Sequence, residues 1–154
     1  MNITYARLVR NLFLILSLAA LTGCVGSATG QTIPAGLASS ENLFYVAHQP
    51  KDSRNLHNDI ASALQSRGFT ATAGPADAKP SNADYVVTYV DRWQWDMRIY
   101  LSDLRIEVRD ALDNSLMGYG QSAQSSFKAM GKNHEDVITA ALDQLLGVGS
   151  TEAE

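Results

Sequence analysis

Apolar residues along this chain recur at every second position in some stretches and at every third or fourth in others, and the switches between the two periods predict its elements. Leu43-Phe44-Tyr45-Val46-Ala47 is an unbroken apolar run stopped by Pro50, which reads as a short buried strand. Leu56, Ile60, Ala63 and Leu64 then fall on one face of a helix, with Asp52 or Ser53 as its N-cap and Gly68 placed to end it. Phe69 to Ala73 is a weak strand, and Gly74, Pro75, Lys79 and Pro80 mark a loop. The strongest strand signal runs from Ala83 to Trp95, dense in Tyr, Val, Thr and Trp, and a second follows from Met97 to Asp110. In that second strand the apolar residues sit on odd numbers first (Met97, Ile99, Leu101) and on even numbers later (Leu104, Ile106, Val108), so a bulge near Ser102-Asp103 is required. After a turn at Asp113-Asn114-Ser115, Leu116 to Ser126 forms another strand. Val137, Ile138, Ala141, Leu142 and Leu145 then give a closing helix from Glu135 to Leu146. The order β-α-(β)-β-β-β-α predicts an α+β two-layer sandwich, two helices packed on a mainly antiparallel sheet of four to five strands.

Outside that unit the pattern changes character. Arg7 and Arg10 precede an apolar stretch from Leu12 to Leu21 broken by Ser17, and small residues follow, which is the layout of a secretory leader. Its uninterrupted greasy length is far below the roughly 20 residues that cross a bilayer. Residues 24–41 are rich in Gly, Ser, Ala and Thr without apolar period and read as a flexible tether, reaching on the order of 20–25 Å. Residues 42–147 are expected to form one domain, and 148–154 an acidic disordered tail. Removing residues 1–23 leaves 10 basic and 16 acidic side chains, a net charge of −6. Such a chain has no electrostatic reason to bind nucleic acid or an anionic lipid surface.

The leader closes on Leu21-Thr22-Gly23-Cys24, which resembles the lipobox of bacterial lipoproteins. That resemblance implies cleavage before Cys24, a diacylglyceryl thioether on its sulfur, and an attachment to the membrane carried by lipid. Cys24 is the single cysteine, so no internal disulfide can form. Val25 stands where an aspartate commonly retains such proteins in the inner membrane. The resemblance therefore implies the periplasmic face of the outer membrane, with the inner membrane as the alternative.

The segment Ala83-Asp84-Tyr85-Val86-Val87-Thr88-Tyr89-Val90-Asp91-Arg92-Trp93-Gln94-Trp95-Asp96, followed by Arg109-Asp110-Ala111 and Gly120-Gln121-Ser122, is similar to small bacterial envelope lipoproteins of uncharacterised function. The match spans most of residues 42–146 and implies a fold rather than an activity. In element order alone the chain also resembles lipopolysaccharide-assembly and transport-auxiliary lipoproteins, and fold analogy by itself assigns no function.

Candidate chemistry is sparse. Tyr85, Val87, Tyr89, Trp93 and Trp95 share one strand face, an aromatic row that either fills the core or, at its Trp93 and Trp95 end, offers a surface to a partner or ligand. Asp91, Arg92, Asp96 and Arg98 flank those rings and read as an ion-pair cluster pinning the strand end. Asp91 and Asp96, five apart on a strand, point to opposite faces and do not make a catalytic carboxylate pair. His48, His57 and His134 are all the imidazoles present; no pair has i, i+4 spacing and no second cysteine exists, so no metal site is expected. There is no G-x-S-x-G elbow, P-loop or dinucleotide fingerprint, and no cofactor is expected. The expectation is a lipid-anchored, non-enzymatic adaptor or assembly factor with an envelope protein partner. The alternatives are a carrier or sensor of a small apolar or glycan ligand at Trp93 and Trp95, and, third, a hydrolase using Asp91 or Asp96.

Overall fold

The computed structural model describes residues 28–37, 41–125 and 133–148. The leader, the Leu21–Cys24 motif and the end of the acidic tail lie outside the described residues. The elements are β1 (Ala28–Gln31), β2 (Leu43–His48), α1 (Leu56–Gln65), β3 (Thr70–Pro75), β4 (Tyr85–Asp96), β5 (Arg98–Asp110), β6 (Leu116–Ala123) and α2 (His134–Leu146). The fold is α+β, with the six strands in one sheet of order β1-β6-β5-β4-β2-β3. β2 runs parallel to both β3 and β4, while the β4–β5, β5–β6 and β1–β6 pairs are antiparallel.

Both helices cover one face of this sheet. Leu56, Ile60, Ala61 and Leu64 of α1 and Val137, Ile138, Ala141, Leu142 and Leu145 of α2 meet Phe44, Val46, Val87, Leu104, Ile106 and Val108 in a single core. α2 starts on a capping box, in which Asn133 accepts the Asp136 amide and Asp136 accepts the Asn133 amide. α1 starts differently: Asn55 is left-handed (φ 61°) and makes no side-chain cap. Asp52 instead receives the Arg54 amide at 2.7 Å, just ahead of the helix.

The phase slip in β5 is a bulge at Ser102. Arg92 pairs with Asp103 and Trp93 with Leu101, so Ser102 has no opposite residue. Leu101 and Leu104 are thereby both turned into the core.

Two expectations are corrected here. The sheet has six strands rather than four or five, and the sixth comes from the segment read as tether. Ala28–Gln31 pairs with β6, placing Gly30 opposite Gly120. The chain then turns inward, where Ile33 is buried and donates its amide to the Leu145 carbonyl at 2.9 Å. Backbone pairing needs no apolar side-chain pattern, which is why Ala-Thr-Gly-Gln carries no strand signal. The domain accordingly includes residues 28–37 in addition to those from 42 onward. The glycines of β6 serve this packing: a Cβ on Gly120 would meet the Ala141 carbonyl of α2, and one on Gly118 would lie 2.8 Å from an Ile33 methyl.

Candidate functional site

β4 and β5 outrun the rest of the sheet. β2 pairs with β4 only at Tyr85–Val87, and β6 reaches β5 only from Asp103 onward. Trp93–Leu101 is therefore a two-stranded arm, turning at Met97 with φ 59°. A free two-stranded ribbon is marginal in water. This one is anchored by Trp93, whose half-buried ring packs against the core beside Leu101.

Trp93 occupies the gap between the first turns of the two helices. The Arg54 guanidinium lies 4.4 Å from its ring centroid and the His134 ring 6.3 Å away. Its indole N–H donates to the Asp91 carboxylate at 2.8 Å. Across the gap, the His134 ring nitrogen and an Asp59 carboxylate oxygen stand 3.1 Å apart and join α2 to α1. A cleft of about 460 Å³ opens here, with Arg54, Asp59, Trp93, Ile99 and His134 among its walls.

Past Trp93 the same face becomes exposed. Trp95 and Ile99 are opposite one another in the ladder, with Met97 at the turn between them. The exposures of Trp95, Ile99 and Met97 are 74%, 51% and 85%. The aromatic row is thus divided: Tyr85 and Tyr89 are core, Trp93 is the hinge between core and surface, and Trp95 is surface. Asp91 is occupied by Trp93 instead of by a guanidinium, Arg92 is exposed, and Asp96 sits at the arm's end opposite Arg98. Asp91 and Asp96 are not brought together. An arginine–carboxylate cluster lies on the outer face of β5, where Glu107 receives Arg105 and Arg109, each at 2.7 Å.

A second constellation was not legible from histidine spacing. His48 ends β2 and His57 lies in the first turn of α1, and folding brings their ring centroids to 4.4 Å. Asp52, in the connection between them, is buried. Its Oδ2 accepts the Tyr89 hydroxyl at 2.7 Å and lies 3.6 Å from His57 Nδ1. Burial pushes the Asp52 carboxyl up, but the bonds from Tyr89 and from the Arg54 and Leu56 amides outweigh it and hold the group below the usual carboxylate range. Burial and the neighbouring carboxylate raise Tyr89 well above an ordinary phenol. The missed signal was His48 and Asp52 four residues apart across the Pro50 turn, a pair that a search among histidines alone passes over.

No family model and no curated protein sequence matches the chain. Solved structures do. The PelC dodecamer from Paraburkholderia phytofirmans is 15% identical, with a TM-score of 0.57 over 79% of this chain and 99% of that one. A single-substitution variant of the same dodecamer, also 15% identical, gives a TM-score of 0.58 over 80% of this chain and 97% of that one. A minor lipoprotein from Acinetobacter baumannii is likewise 15% identical, with a TM-score of 0.30 over 64% of this chain and 82% of that one. At this identity the PelC likeness establishes the fold.

Proposed function

We propose that this chain is a lipid-anchored protein of the periplasmic side of the outer membrane that acts as a non-enzymatic adaptor or assembly factor, docking to an envelope protein through the end of the β4–β5 arm. The observation that carries the docking surface is the exposure of Trp95 and Met97 at the end of the ribbon, with half-exposed Ile99 opposite Trp95 at the edge of the cleft. Large apolar side chains gathered at a projecting tip are what an interface centre requires, since aromatic residues and methionine are enriched there. The anchor rests on the Leu21-Thr22-Gly23-Cys24 resemblance and on the charged-apolar-small leader before it.

Each half has its own test. Metabolic labelling with a fatty-acid probe should mark the native chain and leave Cys24→Ser unlabelled; label persisting on Cys24→Ser contradicts the anchor. A Trp95→Ser/Met97→Ser chain should melt at the native temperature yet lose any complex captured by chemical crosslinking in the envelope. Retention of that complex contradicts docking through the arm.

Self-assembly is a second reading, favoured by one observation. The PelC chains that share this fold form dodecamers. A crosslinked species at multiples of the chain's own mass, in place of a mixed complex, selects it.

A further inference from the structure

His48, Asp52 and His57 each offer a ligand atom, and these atoms all lie within 4.8 Å of one another. Three physical points give the cluster a direction. First, the Asp52 side chain is 1% exposed, and among the described residues its one ion-pair neighbour is the His57 imidazole. A carboxylate this deeply buried is hydrogen-bonded, paired or coordinated. Second, the His57 pairing is not a hydrogen bond. Nδ1 stands 3.6 Å from Oδ2, beyond bonding reach, and among the described residues this buried nitrogen has no hydrogen-bond partner. A separation of that size is close to the roughly 3.3–3.5 Å between neighbouring ligand atoms around a tetrahedral zinc ion with bonds of about 2.0–2.1 Å. Third, the carboxylate is oriented from behind, by the Tyr89 hydroxyl on Oδ2 and the Arg54 amide on Oδ1, each at 2.7 Å. Outer hydrogen bonds of this kind fix a ligating carboxylate.

We infer that His48, Asp52 and His57 form a binding site for a divalent first-row transition ion, with two imidazoles and one carboxylate as protein ligands. That donor set suits Zn²⁺ and its neighbours rather than Ca²⁺ or Mg²⁺, which take oxygen ligands. His48 is half-buried where the other two ligands are buried, so the site opens toward solvent on the His48 side. Gln49 and Tyr89, which adjoin the cluster, also line a neighbouring groove of about 490 Å³.

The test uses the full chain in detergent, stripped with a chelator and titrated with Zn²⁺ at neutral pH. Imidazole ¹⁵N resonances of the unaltered protein should shift for His48 and His57 and stay fixed for His134, with saturation at one equivalent. His48→Gln and His57→Gln should each weaken Zn²⁺ binding at least about 100-fold, and Tyr89→Phe about tenfold through loss of the outer hydrogen bond. His134→Gln should bind as the native chain does. The resonance readout needs no variant to fold. Unshifted His48 and His57 signals at excess Zn²⁺, or shifts shared equally by His134, overturn the site.

Discussion

Trp93 donates its indole N–H to the carboxylate of Asp91, two residues earlier on the same strand face, at 2.8 Å. This bond fixes the ring at the edge of the core, where Arg54 covers it. Trp95, two residues further on, has left the helices and is 74% exposed. Packing therefore ends, and a free surface begins, between two tryptophans separated by one glutamine.

Truncation should separate the two. Trp93→Ala removes a half-buried ring together with its stacking on Arg54, and is expected to destabilise the fold by roughly 2–3 kcal/mol. Trp95→Ala should stay within about 0.5 kcal/mol of the native protein. Denaturant titration of both variants reads the difference, and equal, large losses would show that the arm's end is packed.

Much of this division was legible beforehand. Tyr85, Val87 and Tyr89 announce a core-facing strand by their period, and the odd-to-even slip in β5 locates the bulge at Ser102. Both helices follow from apolar spacing. What period could not reveal was β1, whose small residues join the sheet by main-chain bonds, and the meeting of His48 with His57, which depends on how β2 and α1 are placed in space. Six strands in place of five follow from that first omission.

Ile33 tests the membership of the N-terminal segment. Its side chain is buried in the core and its amide is bonded to Leu145 of α2. Ile33→Ala is expected to lose about 2–4 kcal/mol. A fragment starting at residue 42 should melt well below the chain that retains residues 28–37. Identical thermal melts would mean that β1 contributes nothing to the fold.

The outer face of the sheet should respond to acid. Burial pushes the Glu107 carboxyl up, but its bonds from Arg109 and Arg105 outweigh this and hold it below the usual range. A carboxyl lowered in the folded state stabilises the protein above its unfolded pKa of about 4.3, and that contribution disappears as pH falls through the folded value. Because both arginines are partly solvated, Glu107→Gln should be less stable than the native chain by only about 1 kcal/mol at pH 7. The gap should narrow steadily below about pH 4. A gap independent of pH would exclude the ion pairs as its source.

The central claim, docking through the arm, is tested most directly by placing a photoreactive side chain at single positions in the native envelope. Trp95 and Met97 lie at one end of β5, and Leu112, 97% exposed, lies in the turn beyond its other end, roughly 40 Å away. Illumination should give a discrete higher-mass adduct from positions 95 and 97 and none from 112. Adducts of equal yield at all three positions, or none at 95 and 97, would contradict it.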